Sequence, residues 1–514
     1  MQVRVNAAGQ PIATPPGLLL SNFRQSLDLA IPYWSDPSQS WEPGLQWSEQ
    51  LSLPLAWCQQ AIIALLKTLV AGSDCSAEGM NANEFHLALA QVVGVVLGCP
   101  TGWSDTYRFN LREAVLAAGL VAQPEQIFFI PDAIAALLSQ FPVPPEKLDL
   151  KRPTRPKETL FQQGGTLVLN AGATVTELLL THAPQDGQPL TRTHLSLRSI
   201  AYGGNAIDQD IICQLFYPSV WGWRNLGETS LDLPLPGEPD LQTRYRFQQR
   251  LQSHNLGRIL LAIARQIKTA LQQQDSASFG LNDQQWTMHR QDLHNRVLVP
   301  YIQLLNRELN GLLAETETGI QAVQQVIRVG GTVAFPAIDR WLQQKFPHAT
   351  LLQQNSSPHP SSQIAHGLAK LPLYPQFLDA AHHQYSDYFL LRELLRLFPT
   401  QPLSLEHVLQ LLENQGIDVQ SCQQAILDLL EGQLPIGLVP SSINHILLTP
   451  ASKQNPDYQT ATAVPVFSRQ SHQVYSLNMK QRDFLWQYLT TLLKTAHQNL
   501  EKPLPVNLQI AAPM

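Results

Sequence analysis

Apolar positions along the chain fall into two rhythms, one helical and one strand-like, and their alternation is the first structural signal. Residues 55–70 place apolar side chains at helical spacing. Residues 92–97 form a short β-branched run, and 106–120 return to the helical period and stop at Gly119. A short strand at 126–130 and a helix at 132–140, entered through Pro131, come next. The pattern restarts with strand-like runs at 166–182 and 195–200 and a helix at 206–215. Long helices at 244–272 and 289–313 follow, then a strand–Gly-Gly–helix unit over 326–342. Two successive blocks of this kind predict an α/β protein with two similar halves. Hydrophilic connectors at 141–163 and 217–240 read as loops. Residues 1–50 offer a strand-like opening and one short helical candidate at 22–29.

Past residue 379 the rhythm becomes helical throughout. Segments 388–398, 404–414 and 418–431 predict three helices with short connections, with Ser404 and Asp418 as caps. A Pro/Asn/Thr-rich loop at 448–463, a strand, a helix at 480–499 and a frayed end complete the chain. The expected domains are 1–140, 164–379, a helical bundle at 385–435 and a strand–helix tail at 464–514.

Composition narrows the function classes. At 514 residues, two to four domains are expected. Charged residues are only 14% of the chain and the net charge is −6, so no general field for polyanions exists, which argues against bulk nucleic-acid or anionic-membrane binding. The helix expected at 418–431 carries acids and no Lys or Arg, unlike a DNA reader. Cys58, Cys75, Cys99, Cys213 and Cys422 are scattered without a CxxC pair, as reduced thiols of a cytosolic protein are. The opening lacks the uninterrupted apolar core of a secretory signal. The most apolar window, 87–99, is too short to span a membrane and reads as a buried helix-to-strand passage. A soluble, cytoplasmic protein is therefore expected. Gly-x-Ser-x-Gly and Walker A patterns are absent, and His359, His366, His382 and His383 lack metal-type spacing, so no metal ligands are assigned.

Several segments occur in a meaningful order. Val92-Val-Gly-Val-Val-Leu-Gly98-Cys99-Pro100, with Glu113-Ala-Val-Leu-Ala-Ala-Gly119-Leu120 after it, resembles the "VPA…AAGL" passage of the seventy-kilodalton heat-shock chaperones. Ile130-Pro131-Asp132-Ala133 and its continuation resemble their connecting helix, "NEPTAAA". Leu169-Asn170-Ala171-Gly172-Ala173-Thr174-Val175-Thr176-Glu177-Leu178 resembles their second phosphate hairpin, "DIGAGTTDL". Tyr202-Gly203-Gly204-Asn205-Ala-Ile-Asp208 resembles "LGGEDFD". Gly330-Gly331-Thr332-Val-Ala334-Phe-Pro336 resembles the adenosine segment "GGSTRIP", and Ala365-His366-Gly367 the closing "AVAYGAA".

The resemblance spans roughly residues 20–370. It implies the two-lobed actin-like ATPase (ribonuclease-H-like) fold, an α/β clamp on a nucleotide, here followed by a helical C-terminal region. It also implies that Gly172, Ala173, Thr174, Gly203 and Gly204 face phosphates. Gly330, Gly331 and Thr332 would face adenosine, and Lys268 the base or ribose of ATP or ADP with magnesium. Departures from the family are equally specific. The first phosphate loop has no counterpart, so the chain reads as N-terminally incomplete relative to that fold. Asn170 stands where the family has a metal-organising aspartate, and an amide supplies neither charge nor base. Glu177 keeps the hairpin's second acid. Ile130 replaces the connecting-helix glutamate, Arg265 an adenine-contacting glutamate and Ala334 the stacking arginine; the catalytic lysine maps to Arg24. No catalytic residue is therefore assigned beyond Asn170 and Glu177 at the family's acidic positions. The expectation is a degenerate ATPase working in regulatory or chaperone-type protein interaction, with a protein partner or client held by the C-terminal helical region. An active ATPase whose first strands are missing from this sequence, and a ligand-free scaffold, are the alternatives.

Overall fold

The computed structural model describes residues 2–13, 16–70, 75–77, 79–142, 164–181, 189–216, 232–281, 284–352, 362–441, 444–506 and 508. Most of the connector at 141–163, and the 217–240 loop up to residue 231, lie outside these residues.

Five strands form one mixed sheet in the spatial order Leu195–Ile200, Thr176–Thr181, Gly165–Ala171, Val323–Val329, Thr350–Leu352. Thr176–Thr181 runs antiparallel to both neighbours, and the remaining pairings are parallel. The sheet is covered on both faces, which is why its strands Gly165–Ala171 and Thr176–Thr181 are buried throughout and read as near-continuous apolar runs. The period-two alternation still decides direction. Leu167, Leu169, Leu178 and Leu180 pack with the helices Asn255–Gln273 and Val299–Glu315 on one face. Val168, Leu179, Ile327 and Val329 pack on the other against the helix Asp132–Ser139, which follows the strand Ile127–Pro131 of the first half.

That helix is crossed by Ser362–Lys370 at very short range. A Cβ added to Gly367 would stand 1.7 Å from the Ala135 carbonyl oxygen. Lys370 Nζ then donates to the carbonyls of Ser139 (2.8 Å) and Phe141 (2.6 Å), satisfying groups at the end of Asp132–Ser139. The crossing is the main helix contact between the two halves of the chain.

The first half is smaller in sheet. Val95–Cys99 and Ile127–Pro131 pair in parallel, and among the described residues they form a two-stranded sheet. The opening forms a separate hairpin, Gln2–Val5 with Leu18–Ser21, and the short helical candidate at 22–29 is a 3-10 turn, Phe23–Asp28.

Three expectations need correction, and one hairpin was not expected. The apolar window at 87–99 is not a buried passage. The helix Ala82–Ala90 buries none of its residues, and Leu87 and Val93 are 60% and 69% exposed. Apolarity alone does not supply a neighbouring element to cover it. The single helix expected at 244–272 is two, Leu241–Ser253 and Asn255–Gln273, joined at an extended His254. Ser253, His254 and Asn255 are all weak helix formers, and the apolar rhythm runs on across the corner. The "loop" at 448–463 contains the helices Pro450–Lys453 and Pro456–Ala463, started by Thr449 and Asn455 caps. A hairpin, Ser276–Leu281 with Gln284–His289, fills the span between the predicted helices and takes His289, the first residue expected in the second of them.

The C-terminal helices Asp387–Leu397, Leu405–Glu413 and Val419–Leu430 form as the pattern predicts. Ser404 and Asp418 accept from the His407 and Ser421 amides. Bundle and tail, however, share one core. Tyr475 and Leu477 of the late hairpin and Leu485 and Tyr488 of the helix Met479–Leu493 pack with Leu391, Leu412 and Ile426. Leu403–Ser404, Val474–Leu477 and Phe467–Ser471 close this region as a small antiparallel sheet in that order. Ile31, Tyr33 and Phe109 of the first half belong to the same cluster. Glu113 fastens the junction by accepting from the amides of His497 and Gln498 (2.8 Å each) and from Gln498 Nε2 (2.9 Å).

Candidate functional site

The tight turn between Gly165–Ala171 and Thr176–Thr181 brings Gly172, Ala173 and Thr174 to one end of the sheet, with the Gly172 amide closed onto the Val175 carbonyl (3.0 Å). The helix Gly204–Ile211 starts directly against this turn. Its Gly204 and Asn205 amides donate to the Gly172 (2.9 Å) and Ala173 (2.8 Å) carbonyls. A Cβ on Gly203 would meet the Gly172 oxygen at 2.7 Å, so only glycine permits the approach. The Gly203–Gly204 pair thus clasps the hairpin, and the Gly204 amide is engaged there. The Ala173 and Thr174 amides have no hydrogen-bond partner among the described residues. They are the donors left for an anion.

Gly330 ends the neighbouring strand with φ of +98°, and a Cβ there would sit 2.2 Å from the Ala171 oxygen. Glycine is therefore required by both conformation and space. Gly331 is exposed, and a Cβ built on it meets nothing within 4 Å. Its carbonyl accepts from Gln272 Nε2 (3.0 Å), which holds the turn against the helix Asn255–Gln273. Thr332 is buried. Lys268, on that helix, donates to the Gly204 carbonyl (2.7 Å) and pairs with Asp208 (2.6 Å). Arg265 Nε also approaches Asp208, at 3.4 Å. Burial pulls the Lys268 pKa down, against the Asp208 carboxylate that holds it up. Around the place where a Gly204 Cβ would stand, Lys268 Nζ lies at 3.2 Å, Thr332 Oγ1 at 3.5 Å and Ala173 Cα at 3.7 Å. Three of the sequence motifs, about 160 residues apart at their extremes, meet at one point.

Asn170 and Glu177 face each other across the strand pair, with Asn170 Nδ2 donating to Glu177 Oε2 at 2.7 Å. The other Glu177 oxygen accepts from the Thr101 amide at 2.7 Å, a bond reaching into the first half. Glu177 is fully buried, and burial first and the Asp132 carboxylate second push its pKa up to about 7. Asp132 is also raised by burial, opposed by Arg24. Arg24 Nη2 lies 3.9 Å from Asp132 and donates to the Gly98 carbonyl at 2.9 Å, while its Nε donates to Tyr107 at 2.6 Å. Arg24, Asp132, Asn170 and Glu177 therefore lie close together at the junction of the halves. In the sequence Asp132 reads only as the start of a helix.

This cluster does not fit a magnesium ion. Magnesium needs charged oxygens with free lone pairs. Here one carboxylate already accepts a donor on each oxygen, the other faces an arginine, and the third position is an amide. Among the described residues no group of three or more His, Cys, Asp and Glu side chains converges as a metal site would require. No helix among the described residues is long and apolar enough to cross a membrane. The fold and site are those of a mixed α/β protein with a glycine-turn cluster at the end of its main sheet. No protein-family model and no curated protein matches the chain.

Proposed function

We propose that the chain is a two-lobed nucleotide-binding protein of the actin and heat-shock ATPase kind that retains the clamp and lacks hydrolysis. The observation that carries this reading is the meeting of Ala173, Lys268 and Thr332 around Gly204. Beside them lie the unpartnered amides of Ala173 and Thr174 and the open flank of Gly331. The strand order, with only the second strand antiparallel, supports a ribonuclease-H-like lobe. Phosphate oxygens would take the hairpin amides, and the sugar or base would lie along Gly331 toward Lys268. Hydrolysis needs placed charge around the leaving phosphate. An amide at Asn170, bonded to a half-neutral Glu177, does not supply it. Nucleotide would then act as a conformational ligand that biases how the halves close.

The protein partner or client would meet the C-terminal region on its exposed polar side, where Gln420, Gln423 and Gln424 lie on one helix and Arg469–Gln473 on the hairpin tip. Because this region shares a core with Ile31, Tyr33 and Phe109, substitutions of these exposed residues test the partner surface better than a truncation.

Calorimetry of the full chain with ATP and ADP tests the nucleotide reading. Micromolar binding that persists in EDTA is expected, with phosphate release no faster than in buffer. Gly331→Leu, which fills open space without touching the fold, should weaken binding at least tenfold. Absence of heat with both nucleotides would overturn the reading and favour a ligand-free scaffold.

A further inference from the structure

A second cavity, of about 680 Å³, lies between the N-terminal hairpin and the helices Leu241–Ser253 and Asn255–Gln273. That volume is in the range of small-molecule sites. Its charge is one-sided. Arg4, Arg258 and Arg265 line it, and no aspartate or glutamate is among the described lining residues. Arg258 and Arg265 are seven residues apart, two helical turns, so they project from the same face. Arg4 stands across the groove on the hairpin strand, where Nη1 donates to the Gly17 carbonyl (3.0 Å), and it makes no ion pair among the described residues. Arg265 shares the single carboxylate of Asp208 with Lys268. Arg258 is exposed and makes no ion pair among the described residues. Trp47 forms part of the wall, with Gln248 and Gln252 as neutral donors beside it.

In a chain of net charge −6, three arginines facing one cavity with no lining acid form a local positive field. Guanidinium groups offer forked donors matched to phosphate oxygens, and the walls exclude part of the surrounding water. We propose that this groove binds a small molecule carrying two or more phosphate groups. The ligand is held by Arg4 on one side and by Arg258 and Arg265 on the other, with Trp47 against it. The site is distinct from the hairpin cluster and does not depend on nucleotide binding there.

The probe is inorganic tripolyphosphate, titrated into the full chain at low salt by calorimetry and by tryptophan fluorescence. Saturable binding is expected, steeply weakened by added salt. Arg258→Glu and Arg4→Glu should each weaken it at least tenfold; both positions sit on the groove wall, and Arg258 is exposed, so its variant keeps the fold. Trp47→Phe should remove the fluorescence change and leave the heat. Gly331→Leu, which blocks the nucleotide reading, should leave tripolyphosphate binding within twofold. Absence of saturable heat in the unmodified protein, or unchanged affinity in both arginine variants, overturns the proposal. Tripolyphosphate binding without ATP or ADP binding would sink the nucleotide reading alone.

Discussion

Replacing Glu177 by glutamine isolates the titration of the buried carboxylate at the centre of the molecule. The change preserves shape. The introduced side chain can still accept from the Thr101 amide through its carbonyl oxygen, and Asn170 can turn its own oxygen toward the new NH₂ group across the present 2.7 Å. What disappears is the proton. Burial, with Asp132 beside it, raises Glu177 from 4.5 to about 7. Between those values the folded protein holds a proton that the unfolded chain has released, so stability falls as pH rises through the window and is level above it. At about 1.4 kcal/mol for each pH unit, the loss is on the order of 3 kcal/mol. Urea unfolding of both proteins from pH 4.5 to 8 measures it as a difference. The difference cancels groups that do not interact with Glu177, such as Asp387, which burial and Asp105 also push up to about 7. The Glu177→Gln variant should match the wild type near pH 4.5 and exceed it by about 3 kcal/mol near pH 8. Curves that stay parallel across the range would refute the reasoning. Glu177 would then be an ordinary carboxylate, free to hold a cation, and the case against hydrolysis would weaken with it.

Two further substitutions test the framework. Gly367→Ala places a methyl 1.7 Å from the Ala135 oxygen where the two linking helices cross. Overpacking of this kind costs ~1–3 kcal/mol, and a clash with backbone puts the expected loss at the upper end. Urea unfolding reads it, and a loss below about 0.5 kcal/mol would mean the helices do not cross so closely. Glu113→Ala leaves the His497 and Gln498 amides without their acceptor, while Gln498 Nε2 keeps the Phe109 carbonyl (3.0 Å). A buried orphan such as the Gln498 amide costs about 1–3 kcal/mol, so the C-terminal end should loosen from the first half and become sensitive to protease near residue 497. Unchanged cleavage would remove Glu113 from its fastening role.

The element pattern was legible because it is local. The strand at 195–200 has the residues the alternation predicts, and the strands on either side of Gly172 match the expected run to within a residue at each end. The Ser404 and Asp418 caps are bonds between near neighbours. The glycine turns were legible too, since Gly330 at φ +98° follows from a strand that must stop and reverse direction in little space. The break at His254 was not, because the apolar rhythm on its two sides stays in step while the backbone turns between them.

Composition and order could mark Asn170, Lys268 and Thr332 as one family of signals, but not how their donors are used. The Gly204 amide belongs to the hairpin rather than to a ligand, because the helix start is pressed against Gly172. Asp132 joined Arg24 and Glu177 only when a 3-10 turn, a helix start and a hairpin from distant parts of the chain met. The same holds for the arginine groove, whose two sides come from residues 4 and 258–265. Periodicity, caps and turns depend on neighbours within a few residues, so the sequence determined them alone. Burial, proton affinity and the facing of charges depend on which distant surfaces touch, and only the tertiary structure decided those.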